Sequence, residues 1–288
     1  MRFQGRDYTI EEARPESFKG IDLVLSSAGG AISRELVPHA IKAGALVVDN
    51  TSAFRMDPEV PLVIPEINPE DIAKHKGVIA NPNCSTIIML VPLFPIHKLA
   101  KIRRIIAATY QAASGAGAKA MQELETQSRQ VLEKKNPTKD VFPHQIAFNL
   151  FSHDSDVGPE GYSEEEMKVV RETRKIFHDD SILVSPTAVR VPIFRAHAEA
   201  IHLELERDIS VAEAKKALQE MPGVKIVDQP EKNHFPMPIE VSGHDEVFVG
   251  RIRKDLGINN GLNLFVCGDQ ILKGAALNAV QIAEKLIS

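Results

Sequence analysis

The chain is poor in cysteine. Of its 288 residues only Cys84 and Cys267 carry a thiol, far apart and in unlike contexts, so neither a disulfide framework nor a CxxC metal site is available. It also lacks any run near the roughly 18 apolar residues of a membrane-spanning helix. Residues 1–30 mix charges throughout, without the apolar core of a signal peptide. A reducing, cytoplasmic setting is the expectation. There is no basic block: Lys+Arg number 34 against Asp+Glu 39, a formal net charge of −5, which leaves nucleic acid no electrostatic footprint. The 43% hydrophobic and 25% charged content is that of a folded globular protein. At roughly 100–200 residues per domain, two domains or one large α/β unit with an insertion are expected, and small-molecule chemistry is the default function.

What is present is an alternation of apolar β-type runs with helical patterns. Ile21–Leu25, a helical stretch Ser33–Ala43 stopped by Gly44, and Ala45–Asp49 predict one βαβ unit. A strand at Leu62–Ile64, a short helix opened by Asn68-Pro69 and a strand at Gly77–Ala80 follow, which argues for a parallel sheet covered by helices. After Cys84 the texture changes. A helix to about Leu99, a strand Ile102–Tyr110, the loop Gln111–Gly117 and a long helix Ala118–Lys135 precede an irregular stretch, Asn136–Pro159. Ser163 and Glu166 form a capping box for a helix to Phe177. Strands at Ile182–Val191 and His197–Glu206, a helix Ser210–Met221, strands at Val224–Val227, Val247–Arg253 and Leu262–Val266, and a helix Ala275–Leu286 complete the reading. This half reads as an α+β domain with a mainly antiparallel sheet.

A nucleotide-binding sheet normally opens with a strand and a glycine-rich turn, and this sequence contains no GxGxxG. Gly29-Gly30 with Asp49 about 20 residues on imitates the fingerprint, but the third glycine and the spacing are missing. The segment with chemical content is Asn81-Pro82-Asn83-Cys84-Ser85-Thr86, between a strand and a helix. A cysteine there faces the positive end of the helix dipole, which is expected to lower its pKa, and free N–H groups that are expected to hold an oxyanion. A lone cysteine is more often a small buried hydrophobe; the polar setting turns the reading towards a nucleophile.

That segment, with Tyr110-Gln111-Ala112-Ala113-Ser114-Gly115-Ala116-Gly117, Arg190-Val191-Pro192 followed by Ala196-His197, and Gly268-Asp269-Gln270-Ile271-Leu272-Lys273-Gly274-Ala275-Ala276, resembles the aspartate-β-semialdehyde dehydrogenase family, in order over essentially the whole sequence. The resemblance implies an incomplete Rossmann-like parallel domain at 1–83, completed by the helix in 268–288, and a catalytic and dimerisation domain at 84–267. The family's first glycine-rich turn and its 2′-phosphate-binding residues belong to a segment this sequence does not contain. A chain restored by about 40 upstream residues, one strand-turn-helix unit, is therefore expected to bind NADP more tightly.

The activity implied is NADPH-dependent reductive dephosphorylation of aspartyl phosphate to aspartate semialdehyde, on the route to diaminopimelate, lysine, threonine and methionine. By the same resemblance Cys84 attacks the acyl phosphate, His197 is the general acid/base with a pKa near the operating pH, and Gln111 orients substrate. Arg190 clamps the substrate carboxylate, Glu165 takes its ammonium, and Lys168, Arg55 and Asn83 bind phosphate. Ser26, Ala28, Gly29, Ser114, Gly115 and Gly117 contact the cofactor, and Gln270 its nicotinamide side. No metal is implied, and a homodimer is expected. By residue type alone, His197 is as readily a satisfied core histidine, Arg190 a surface charge, and Glu165 with Lys168 a solvated helical pair. N-acetyl-γ-glutamyl-phosphate reductase has a glycine where Asn83 stands, and glyceraldehyde-3-phosphate dehydrogenase an S-C-T-T-N segment, so both fit less well. An inactive, truncated dimerising subunit is the alternative of another class.

Overall fold

The structure, a computed structural model, describes residues 1–287. A two-residue hairpin, β1 (Arg2–Phe3) with β2 (Arg6–Asp7), precedes the expected βαβ unit: β3 (Leu23–Ser26), α1 (Gly30–Lys42) and β4 (Leu46–Asp49). Gly44 ends α1 because its φ of +96° suits the left-handed turn. Its N–H reaches Ile41 O and that of Ala45 reaches Ala40 O, the Schellman pattern that satisfies the last carbonyls. With β5 (Val78–Ala80), a parallel sheet of order β3-β4-β5 results.

Two expectations in this part are corrected. Leu62–Ile64 makes a single parallel bridge to Ala80 instead of a strand. The Asn68 side chain takes the place of a strand partner, accepting from Ile64 N–H at 3.0 Å and donating to Leu62 O at 2.9 Å. The helix after Asn68 is a 3-10 turn, Pro69–Lys74.

The helix α2 (Cys84–Ala100) is apolar on nearly every side, with Ile87 to Val91 fully buried. Such a helix needs cover all round. It lies in one core with Val37 and Val47 of the first unit on one side and Ile105, Ile201 and Leu264 of the second sheet on the other. That second sheet is built from β6 (Ile102–Gln111), then, after α3 (Ala118–Leu132), β7 (Phe151–Ser152), and, after α4 (Glu164–Phe177), β8 (Leu183–Arg190) and β9 (His197–Leu205). It continues past α5 (Val211–Gln219) with β10 (Val224–Ile226), and past the short α6 (Pro238–Val241) with β11 (Val247–Lys254) and β12 (Gly261–Gly268).

The order is β10-β11-β12-β9-β6-β8-β7, antiparallel except for β10 with β11 and β6 with β8. Along β9, Ile201, Leu203 and Leu205 face the core while His202 and Glu204 lie on the half-buried side, as the alternation requires. The last described element is α7 (Leu277–Ile287), whose Ala279 and Ile282 pack on Val48 and Ile79 of the first sheet and on Val63.

A π-helical turn, Leu272–Ala276, leads into α7 and holds the fully buried Lys273. Its ammonium binds both oxygens of Glu66 at 2.7 and 2.6 Å, with Asn278 and Gln281 as further acceptors. Burial favours the neutral amine, and Glu66 opposes it. Removing one partner strands the other charge, so Lys273→Ala should destabilise the fold by about 3–5 kcal/mol. The check is the urea midpoint at unchanged m-value; a loss well under 1 kcal/mol, on the order of a surface ion pair, would show that Glu66 finds solvent instead.

Candidate active site

Three neighbouring strands deliver polar side chains at one end of the second sheet. Gln111 closes β6, Arg190 closes the parallel β8 directly opposite it, and His197 opens the antiparallel β9. The carboxyl end of β5 runs through Asn81 into Asn83 and Cys84, the first residue of α2. Strand ends of both sheets thus meet at one helix N-terminus, where α/β folds place ligands.

Asn83 is the N-cap of α2. Its Oδ1 accepts from Ser85 N–H at 3.0 Å and Thr86 N–H at 3.3 Å, its Nδ2 donates to Glu165 Oε1 at 2.9 Å, and its own N–H donates to Glu172 Oε2 at 2.6 Å. The N–H groups of Ser85 and Thr86, expected to be open for an oxyanion, are therefore already capped. Nor is the thiol activated by the dipole. Burial first, and the nearby Glu165 carboxylate next, push the Cys84 thiol up to about 12, overriding Arg55 and the Ser85 N–H. At neutral pH it rests protonated.

The helix α4 begins with the expected capping box, Ser163 Oγ accepting from Glu166 N–H and Glu166 Oε2 from Ser163 N–H. The other oxygen of Glu166 accepts from Ala188 N–H of β8, so the box also fixes α4 against the sheet. That presents Glu165 and Lys168 to the site, Lys168 Nζ donating to Glu165 Oε2 at 3.1 Å. Gln111 Nε2 donates to the other oxygen of Glu165 at 3.1 Å. Burial would raise the Glu165 carboxyl, but Lys168, His153 and Asn83 outweigh it and hold it at about 2. Glu165 is a fixed anion.

His197 is fully buried, and burial first and the Arg190 charge second bring its pKa down to about 3, against the expectation of a value near neutrality. Its tautomer follows from one contact: Nδ1 accepts from Ala112 N–H at 3.0 Å, so the ring proton sits on Nε2, which is buried without a protein partner. Arg190 gives Nη2 to His153 Nε2 at 2.7 Å and to Asp154 Oδ1 at 2.9 Å, while its buried Nε has no partner. Arg55 is held by Glu172 Oε1 at 3.1 Å and by the carbonyls of Asn81 and Asn50, both at 2.9 Å.

Of the residues expected at a cofactor, Ser114 and Gln270 meet directly through Gln270 Nε2 and Ser114 Oγ, and Gln270 Oε1 accepts from Ala196 N–H at 2.9 Å. Gly115 lies so close to His197 that a Cβ would come within 3.1 Å of the imidazole and 3.4 Å of Arg190 Nη1. Gly117, at φ +94°, turns the chain into α3. Ser26, Ala28 and Gly29 form a loop at the end of β3, linked to the nucleophile's segment through Ser27, Asn50 and Asn81. Gly29 is at φ +99° with open space where a Cβ would project, and α1 behind it has no side-chain cap. Uncapped N–H groups at an accessible helix start suit a pyrophosphate, so these residues fit a dinucleotide. Asp49 does not serve it as a ribose contact: it is fully buried, accepting from Ser33 and Thr51.

Two residues at the site, His153 and Asp154, lie in the irregular stretch and carry no signal that composition or motif reveals. Gly274 lies in a recognised motif, but its steric role, a Cβ there meeting Cys84 Cβ at 3.1 Å, is not legible from it. Glu172 had a usable signal: it recurs seven residues after Glu165, on the same helix face. Away from the site, Glu70, Asp71 and His178 bring ligand atoms within 4.8 Å of one another, but Asp71 already binds Lys74 and Asn68.

The raised thiol generates a test. Alkylation of Cys84 in the protein alone should keep accelerating about tenfold per pH unit past the value near 8.5 where an ordinary thiol levels off. Glu165→Gln removes the second cause of the shift and should speed alkylation at pH 8, about fivefold or more if it was worth a sizeable part of a pKa unit. A rate that levels off below pH 9 in the parent, or one unmoved by Glu165→Gln, would overturn this account of the thiol.

Comparison with known proteins agrees with this geometry. Residues 1–75 match the semialdehyde dehydrogenase NAD binding domain, and residues 93–273 the semialdehyde dehydrogenase dimerisation domain. The aspartate-semialdehyde dehydrogenase of Synechocystis sp. is 55% identical over 287 residues, covering 100% of this chain and 85% of that protein. The Aquifex aeolicus enzyme of the same name is 53% identical over 291 residues, covering 100% and 86%. The crystal structure of aspartate semialdehyde dehydrogenase II from Vibrio cholerae, complexed with ASA, superposes with a TM-score of 0.94 at 43% identity, covering 100% of this chain and 85% of that one. Two domain matches in the right order and full-length identity of this degree leave one conclusion: the chain belongs to the aspartate-semialdehyde dehydrogenase family.

Proposed function

We propose that this chain reductively dephosphorylates L-aspartyl 4-phosphate to L-aspartate 4-semialdehyde, reversibly, through a thioacyl group on Cys84, as an oxidoreductase of lysine, threonine and methionine biosynthesis. The observation that carries the reading is the seat of Cys84: a helix-start thiol beside one fixed anion, Glu165, and one cation, Arg55, with the same Glu165 acting on the neutral His197. The sulfur attacks the acyl carbon, the C–O bond to phosphate breaks, and the thiol proton leaves with the departing phosphate as hydrogen phosphate. When bound, NADPH would supply the hydride that takes a thioester to the aldehyde and frees the thiolate.

The substrate brings its own activation. An ammonium paired with Glu165 cancels the negative charge that raises the thiol, so Cys84 ionises more readily with substrate present than without it. The Nε2–H of His197, without a protein partner, is the donor for the carbonyl oxygen as it gains charge. The Nε of Arg190, also buried without a partner, suits the substrate carboxylate, which a guanidinium holds in two-pronged fashion. Arg55, Lys168 and Asn83 are proposed for the phosphate, Gln111 for holding Glu165 in place, and Gln270 for the nicotinamide side, where it joins the Ser114 loop to the Ala196 turn. The α1 start with Ser26, Ala28 and Gly29, and the loop Ser114, Gly115 and Gly117, would hold the dinucleotide, for which we propose NADP over NAD.

The same proposal divides the chain at 1–83 with 268–288 and at 84–267, and makes it a homodimer. In support, the outer face of β6 and β8 leaves Ile106 39% and Leu183 58% exposed, diagonal to each other in the parallel register. A nucleophilic thiol needs reducing surroundings, which supports a cytoplasmic setting. Among the described residues no helix is long and apolar enough to cross a membrane.

Cys84→Ser should leave the fold intact and abolish semialdehyde oxidation, measured as NADP reduction; retained turnover would remove Cys84 as nucleophile. Arg190→Lys should raise the KM for semialdehyde about tenfold or more while moving that for phosphate little, because lysine lacks the two-pronged fork. Equal effects on both would make Arg190 a general field charge. With its pKa near 3, His197 stays neutral throughout the ordinary working range. The acid limb of kcat/KM should therefore contain no group near pH 6.5 that disappears in His197→Asn, since that profile reports the free enzyme.

A further inference from the structure

The helix α4 turns Glu165, Lys168 and Glu172 to one side, at i, i+3 and i+7. The first two belong to the proposed substrate contacts. Glu172 touches no position where substrate is expected, yet it is 1% exposed and spends both oxygens on the site. Oε1 accepts from Arg55 Nη1 at 3.1 Å and Oε2 from Asn83 N–H at 2.6 Å.

We propose that Glu172 is a positioning residue that ties the phosphate end of the site to the nucleophile, one carboxylate oxygen fixing the Arg55 guanidinium and the other the peptide that leads into Cys84. The two ends of the bond that breaks are thereby held by one rigid group. The acyl carbon must lie against the sulfur while its phosphate lies against the guanidinium, and a misfit of about 1 Å between them is costly in rate. Burial pushes the Glu172 carboxyl up, and Arg55 and the Asn83 N–H offset only part of that rise. Lys175, three residues further along α4, works on the same loop: its ammonium donates to the carbonyls of Arg55, Asp57 and Val60 at 2.7 to 2.8 Å. The loop's backbone is held by Lys175 and its guanidinium by Glu172. Without this frame, Arg55 has only the carbonyls of Asn50 and Asn81 to set its orientation.

The inference rests on the reading of Arg55 as a phosphate contact, and the test separates the two. In the full chain, with active thiols titrated, the KM for phosphate in the semialdehyde-oxidising direction and the alkylation constant of Cys84 are measured for Glu172→Gln, Glu172→Leu and Arg55→Lys. In Glu172→Gln the amide oxygen still accepts from Asn83 N–H, but its NH2 confronts the guanidinium. Phosphate KM should rise about tenfold, with alkylation within about twofold of the parent. Glu172→Leu loses both bonds, so KM should rise and the alkylation constant should shift about fivefold or more as well. A role confined to stability lowers the number of active thiols and leaves both constants per thiol unchanged, which would overturn the proposal. Unchanged phosphate KM in Glu172→Gln, alongside a raised one in Arg55→Lys, overturns the Arg55 arm. If Arg55→Lys itself leaves phosphate KM unchanged, the phosphate reading fails. The Asn83 arm is then decided alone by the alkylation constant of Glu172→Leu, whose constancy overturns it.

Discussion

Asn83 has every polar atom committed to fixing the start of α2, its carbonyl included, which accepts from Ile87 N–H at 2.9 Å, and the site is arranged around that commitment. Its side-chain oxygen caps the helix, its side-chain amide meets Glu165, and its peptide N–H meets Glu172. Because both carboxylates come from α4, one asparagine joins the nucleophile's helix to the helix that carries the charged contacts. Gln111 adds β6 to the same junction through Glu165. A buried polar group that lost one of these partners would cost on the order of 1–3 kcal/mol, so the elements move together or not at all.

Burial of this junction governs the electrostatics. The same enclosure raises the thiol of Cys84, lowers His197 and leaves Glu165 ionised, because only Glu165 has enough donors and cations facing it to offset desolvation. The resting site is quiet: thiol protonated, imidazole neutral. On the proposed reaction, a ligand that neutralises Glu165 removes the second of the two causes that hold the thiol up, burial being the first. Glu199, on the same strand as His197 and without a hydrogen-bond partner, is pushed well above the ordinary carboxyl range by burial and so adds little negative charge of its own.

The two sheets come together at this point through the chain's end. The π-helical turn carrying Gln270's neighbours sets Gly274 against Cys84, and Lys273 anchors that turn to Glu66. A Cβ at position 274 would come within 3.1 Å of Cys84 Cβ, tighter than ordinary contact, so a side chain there would press on Cys84. Gly115 meets a similar limit against His197 and Arg190 on the opposite wall.

Periodicity and caps fix most of the secondary structure in advance. The βαβ unit, α2, α4 with its capping box, and the alternating β9 are legible because each rule involves neighbours in sequence. The motif residues Cys84, Gln111, Glu165, Arg190 and His197 are legible too, by resemblance. Leu62–Ile64 is misread as a strand, because a distant partner's place is taken by the Asn68 side chain, which no local pattern announces. The charge states of Cys84 and His197 are likewise beyond the sequence. A helix N-terminus argues for a low thiol pKa, whereas burial and a carboxylate 81 residues further on, at Glu165, decide for a high one. Local order follows from short-range sterics and hydrogen bonding, which the sequence by itself determines. Desolvation, and the through-space meeting of Asn83 with Glu165 and Glu172, depend on what the whole fold encloses, and only the tertiary structure decides them.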